Sequence, residues 1–400
     1  MTSVISNIPK SLFIQSTVTP VGKLNYRLKH LITVIRFYLY VAPLTVVNTI
    51  KNASKRPQPA TKWSLLRLVG TALARQYASS TFKWSLQPPA SNPVRRRVID
   101  TFLGDDLKSH CTEIKKVDDK YYTGECERAR RFVQPASSVP SFWIYPKDKP
   151  FHLDDIHDEK VLLFLHGGGY ISENPLSLPS GAYAVRETGY KCLAVHYRLS
   201  DGINAHPAPL QDCTTAYIYL THKLGVKPSN IAIMGDSAGA NAANALLFHL
   251  LDLKERQVDV DLPSFVSLVS PWGDMTSTFP SITTNRECDV LPPFSSQSEL
   301  VRSHLKYAPE SISNKYNSPA LQESSTFKPW KENNLKVHIQ IGEAEILRDE
   351  GLAFALKLIE AGVDVEFSMI EGEVHDAVNI DQKAEIAKSD FLRGLSGFNS

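Results

Sequence analysis

A serine set between two glycines, Gly235-Asp236-Ser237-Ala238-Gly239, constrains this chain more than any other feature. The short apolar run Ile231–Met234 precedes it, and AGANAANALLFHLLDL, rich in helix formers, follows. A chain that turns from strand to helix within five residues needs glycine on both sides of the turning residue, because larger side chains would collide there. The serine is left at a strained, exposed tip. The helix behind it points its positive end at any negative charge that develops nearby. The plainer reading, a surface serine, does not explain this setting.

The rest of the chain agrees with such a turn. Strands are expected at Val161–Leu165, Cys192–His196, Ile231–Met234, Phe265–Val269, Val337–Ile341 and Val365–Ile370. Helical stretches separate them. Leu210, Cys213, Tyr217, Leu220 and Leu224 mark one helical face, and GLAFALKLIEAG stops at Gly362, a C-cap glycine. Strands alternating with crossover helices predict an α/β fold, a mostly parallel sheet flanked by helices. From Asp274 to about Lys331 the rhythm breaks into Ser, Thr, Pro and Asn with short helical pieces, as expected of a helical cap inserted near 274–331.

A second glycine cluster, His166-Gly167-Gly168-Gly169-Tyr170, directly follows the strand Val161–Leu165. Backbone N–H groups of Gly167, Gly168 and Gly169 can approach a substrate carbonyl closely and, with the amide of Ala238, form an oxyanion hole. The alternative is a glycine-rich turn that holds phosphate or nothing. A base and an orienting acid are then required. Of the histidines after Ser237, His249 lies in the helix, His304 in the expected cap and His338 inside a strand. His375 follows the final strand and is the candidate base. After the strand Val337–Ile341, Glu345 is the candidate acid; Asp349 is the alternative acid and also suits an N-cap.

Composition excludes other chemistry. The net charge of +2 gives no reason to expect nucleic acid. The five cysteines form no CxxC pair or Cys/His cluster, so no zinc site is expected, and acyl transfer through a serine requires neither metal nor organic cofactor. Cys192 and Cys213 read as buried thiols. Cys111 and Cys126 could pair in an oxidising compartment, although spacing alone does not show it.

HGGGY and GDSAG together resemble the hormone-sensitive-lipase-like branch of the α/β-hydrolases. His196-Tyr197-Arg198-Leu199 with HPAPLQD ending at Asp212, Ser270-Pro271-Trp272-Gly273-Asp274, and Gly342 through Glu350 are similar to further elements of that branch. Two positions depart from its pattern: Glu345 stands where aspartate is usual, and Asp376 follows His375 in place of glycine. The resemblance implies an α/β-hydrolase fold, a Ser237–Glu345–His375 triad, and an oxyanion hole shaped by Gly167, Gly168, Gly169 and Ala238.

Residues 31–50, LITVIRFYLYVAPLTVVNTI, are the most apolar stretch, interrupted by Arg36 and Pro43. They are expected to anchor the chain to a membrane, spanning or re-entrant, or else to form a buried or interfacial helix. Basic residues on both sides leave the orientation open. Asn52-Ala53-Ser54 is a glycosylation sequon. Residues 63–77 read as a helix, and QPPASNPVRRR as a linker or surface loop. The expected layout is a tail and membrane segment over 1–60, cap and linker helices over 61–111, and the α/β domain over 112–400. An apolar segment before such a domain resembles the fungal steryl acetyl hydrolases, esterases of the endoplasmic reticulum membrane. That resemblance implies a small lipophilic ester as substrate, steryl acetates first, and membrane lipid as a partner. The rival expectations are an amidase or deformylase acting on a small amide, and a hydrolase-fold receptor without catalysis.

Overall fold

The computed structural model describes residues 35–55, 59–85, 103–200, 203–381 and 384–398. Eight strands form one sheet: β1 (Leu107–Lys115), β2 (Ser138–Pro146), β3 (Val161–Leu165), β4 (Lys191–Val195), β5 (Ile231–Asp236), β6 (Phe265–Val269), β7 (Lys336–Gly342) and β8 (Asp364–Ile370). Their spatial order is β1-β2-β4-β3-β5-β6-β7-β8. The pairs β1/β2 and β2/β4 are antiparallel, and every other neighbouring pair is parallel. β3 and β5, which carry the two glycine motifs, are adjacent, with Leu165 opposite Gly235.

The six expected strands are all present, within a residue or two at their ends. β1 and β2 were not expected. Their sequences, LKSHCTEIK and SVPSFWIYP, carry too many polar residues and prolines to read as strands. β1 lies at the sheet's edge, where one face needs no apolar cover, and it runs across the boundary expected at 111/112.

Seven helices matter here: α1 (Ala42–Lys51), α2 (Leu65–Ser85), α3 (Pro179–Thr188), α4 (Ala208–Ile218), α5 (Ala238–Glu255), α6 (Arg348–Glu360) and α7 (Glu385–Ser396). Helix α5 is buried along nearly its whole length, as its run of alanines and leucines requires. The apolar core divides over the two faces of the sheet. Leu163, Leu193 and Ile233 point to one side; Leu162, Cys192, Ala232 and Met234 point to the other. All five cysteines are free thiols.

The segment 274–331 contains the short helices Ser281–Thr284, Glu299–His304 and Lys328–Glu332. It packs Leu300 over Gly169 and brings Asp289 to the His375 loop. At the N-terminal side, α1 continues a helical turn from Phe37–Val41 and packs against α2. Among the described residues, no helix is long and apolar enough to cross a membrane. Residues 31–34 of the apolar stretch and the expected linker at 87–97 lie outside the described residues. Asn52 is exposed at the end of α1, where its side-chain amide donates to the Asn48 carbonyl at 2.9 Å.

Candidate active site

Four of the parallel strands deliver their following loops to one edge of the sheet, the edge at which α/β folds gather ligands. β3 ends in the three glycines, β5 in Ser237, β7 in the loop holding Glu345, and β8 in the loop holding His375. Ser237 has φ 53° and ψ −119°, a strained geometry for a residue with a side chain. Its amide donates to the Val269 carbonyl at 2.9 Å, and its own carbonyl accepts from Asn241 at 3.1 Å. Gly239 is what lets the turn close. A Cβ there would stand 2.0 Å from the Leu165 carbonyl oxygen, so only glycine allows α5 to begin against the end of β3.

The Ser237 hydroxyl lies 3.0 Å from His375 Nε2, and His375 Nδ1 lies 3.3 Å from Glu345 Oε2. With the ring proton on Nδ1 facing the carboxyl, Nε2 accepts from the serine hydroxyl. The other histidines are engaged elsewhere. His249 Nε2 lies 2.8 Å from the Tyr121 carbonyl, His304 Nδ1 2.9 Å from Ser200 Oγ, and His338 Nδ1 2.9 Å from Ser267 Oγ. Asp349 does not cap α6, because the helix starts one residue earlier, after Leu347. Its carboxylate sits in the first turn, accepting from the Ser281 amide at 2.9 Å and from Arg348 Nε at 2.8 Å, so it braces the loop rather than facing His375.

Gly167, Gly168 and Gly169 wrap the other side. Gly168 has φ 100°, and a Cβ there would meet the Ser172 carbonyl oxygen at 2.4 Å. Its own carbonyl is held by the Ile171 and Ser172 amides and by the Ser172 hydroxyl. Tyr197 donates to the His166 carbonyl and stacks on the His166 ring at 4.3 Å. Ala238 opens α5, so its amide is one of the first-turn N–H groups that no helix carbonyl can satisfy.

Burial dominates the electrostatics. It pushes the Glu345 carboxyl up to about 8, against the opposing effect of a Ser270 hydrogen bond. It pushes His375 down to about 4, with the nearby Asp289 carboxylate acting the other way. The imidazole is therefore neutral at pH 7 and free to accept a proton. Asp236 and Asp376, which flank Ser237 and His375 in sequence, face each other in the interior. Burial raises both carboxyls; the Asp376 charge pushes Asp236 up further, whereas hydrogen bonds to Asn379 and Asp236 partly offset the rise at Asp376.

Asp289 has no forerunner in the sequence reading. One of its oxygens accepts from the His375 amide at 2.9 Å, and the other from the Ile346 amide at 2.8 Å. It thus ties the base loop to the acid loop. Burial raises its pKa to about 6, partly offset by His375. Ser270, at φ 45°, holds the Asp376 amide through its hydroxyl at 3.0 Å. Asp289 lies 86 positions from its partner in a stretch without regular periodicity, so no local pattern announces it.

The α/β-hydrolase-fold family model matches residues 162–379, more than half of the chain and the whole span from β3 to the His375 loop. The chain belongs to the α/β-hydrolase fold family. An acetyl-hydrolase of Streptomyces hygroscopicus is 30% identical to this chain over 211 residues, covering 52% of this chain and 65% of that protein. An ethyl acetate hydrolase of Pseudomonas putida is 27% identical over 224 residues, covering 54% and 65%. The chain thus spans a little under two thirds of the length of each of these relatives. The crystal structure of an esterase from the bacterial hormone-sensitive lipase family superposes with a TM-score of 0.58 at 24% identity, covering 83% of this chain and 96% of that one. That likeness concerns the fold.

Proposed function

We propose that this hydrolase is a serine carboxylesterase that removes short acyl groups, acetyl first, from a lipophilic alcohol, with steryl acetates as the leading substrates. The observation that carries the reading is the unbroken contact from Ser237 Oγ through both ring nitrogens of His375 to Glu345. The acetyl preference is supported by relatives named for acetyl and ethyl acetate hydrolysis. The sterol preference is supported by the resemblance to steryl acetyl hydrolases.

The chemistry follows from the geometry. Ser237 Oγ attacks the ester carbonyl while His375 Nε2 takes its proton, and the carbonyl oxygen becomes an oxyanion. Amides near Gly168 and Ala238 hold that oxyanion; one such donor is worth about 3 kcal/mol of barrier. The tetrahedral adduct collapses, the C–O bond to the alcohol breaks, and His375 returns the proton to the leaving oxygen. Water then attacks the acyl-serine with His375 again as base, releasing the acid and restoring Ser237. Glu345 keeps the imidazole in the required tautomer and stabilises the imidazolium that forms at each step.

The test is acetate release from a steryl acetate in detergent, for wild type and Ser237→Ala, with p-nitrophenyl acetate in parallel. Release that disappears in the variant is expected. Turnover of the nitrophenyl ester alone would refute the sterol assignment and keep the esterase. Turnover of neither ester by the folded wild type would refute both.

A further inference from the structure

The residue before the nucleophile and the residue after the base meet in the interior. Asp236 ends β5 beside Ser237, and Asp376 follows His375; they are 1% and 5% exposed, with their carboxyls facing each other. Neither oxygen of Asp236 meets a protein donor in hydrogen-bond geometry. The Gly167 amide favours its ionised form from outside that geometry. On Asp376, Oδ1 accepts from Asn379 Nδ2 at 2.8 Å, and Asn379 Oδ1 accepts in turn from the Ser180 amide at 2.9 Å.

Two buried carboxylates do not stand side by side without a counter-charge or a proton. The side chains whose charge bears most on this pair are themselves acidic: Glu173, from the loop after the glycines, acts on both, and Glu345 acts on Asp376. The neighbouring His375 imidazole is neutral at pH 7. A proton is then what neutralises the contact. The Asn379 hydrogen bond favours charge on Asp376, so the proton rests on Asp236, which donates to Asp376.

The contact sits where three loops join. A Cβ at Gly167 would stand 2.1 Å from Asp236 Oδ2, so the glycine loop closes directly onto this carboxyl. Asp376 has φ 54°, a left-handed conformation that favours glycine, so an aspartate is held there against its backbone preference. Its amide is fixed by the Ser270 hydroxyl at 3.0 Å. The pair thus ties the turn at Ser237 to the loop of His375, with the oxyanion loop packed on the join. The 3.0 Å contact between Ser237 and His375 lies one residue away on each side.

We propose that Asp236 and Asp376 share one proton as a carboxylic acid–carboxylate pair that positions Ser237 against His375. Both are positioning residues, acting through the nucleophile and the base. The role in catalysis rests on the esterase reading; the shared proton does not.

Asp376→Asn tests the proton, because an amide can donate to Asp236 and accept from Asn379 yet has no proton to lose. Thermal unfolding of the full chain, wild type against variant, is followed from about pH 5 to about pH 9. The unfolded chain loses its carboxyl protons near pH 4, whereas the folded pair keeps one to higher pH. The pair's contribution to stability is therefore full in acid and falls as pH rises, and the wild-type Tm should drop relative to that of the variant across this range. A difference that stays constant with pH would overturn the shared proton. The rate at which a fluorophosphonate labels Ser237 reads the positioning. Asp376→Asn is expected within about threefold of wild type and Asp376→Ala about 100-fold slower; equal rates in the two variants would refute the positioning role. Should Asp376→Ala fail to fold, Asp236→Asn takes its place: its amide can donate to Asp376, so a rate within about threefold of wild type is expected, and a rate about 100-fold lower would count against the pair. A protein that labels in this pattern but hydrolyses no ester would uphold the pair and remove the esterase reading.

Discussion

Burial sets the protonation of Glu345 and His375 more strongly than their neighbours do. His375 must be neutral to accept the Ser237 proton, and its pKa is depressed to about 4. Protonation of His375 should therefore cost activity as pH falls through about 4, rather than through the usual imidazole range near 6.5, while ionisation of the Glu345 carboxyl, raised to about 8, should add to the rate as pH rises through that value. A pH profile of kcat/KM on a soluble ester checks this, and an acid limb centred near the free imidazole value would contradict it. Asp289 acts at the same scale. Replacing it with Ala leaves the buried His375 and Ile346 amides without acceptors. The expected cost is about 1–3 kcal/mol of stability per orphaned group, together with a fall in kcat as the base loop drifts from the acid loop. Thermal unfolding and single-turnover acylation measure the two parts separately; an Asp289→Ala variant with wild-type kcat would refute the bracing role.

The elements that position the site are those whose sequences are locally consistent. β3, β4, β5 and β6 read clearly because buried parallel strands are short apolar runs, and β7 and β8 because apolar residues alternate along them. The turn at Ser237 reads clearly because its glycines answer to steric demands that can be stated beforehand. At Gly239 an added methyl group would overlap the Leu165 carbonyl. Gly239→Ala is expected to cost about 1–3 kcal/mol of stability and to lower kcat by about 100-fold, since the nucleophile moves relative to the glycine loop. Denaturant unfolding and steady-state kinetics check both, and a variant with wild-type kcat would show that the close approach is not needed. β1 and β2 escaped the sequence reading for the converse reason. β1, at the sheet's edge, tolerates polar residues along its length, and the largely buried β2 is interrupted by Pro140 and Ser141, so both lose the apolar signature.

Across the whole molecule, what was legible was whatever a single stretch of chain decides: the α/β alternation, the glycine motifs, and the position of His375 after the last strand. What was not legible depends on distant segments meeting. Asp289 reaches His375 from a stretch of irregular helices, Asp349 braces Ser281 instead of capping α6, and Trp63 and Arg67 bring the N-terminal helices onto the His375 loop. Long-range contacts of this kind leave no periodicity behind. The central claim is that these segments converge to make Ser237 a nucleophile. The most direct measurement is covalent labelling by a fluorophosphonate, with the adduct located by peptide mass spectrometry. The account predicts one adduct, on Ser237, absent from Ser237→Ala and strongly slowed in His375→Ala. An intact, folded protein that resists the reagent, or that carries the label on another residue, would contradict it.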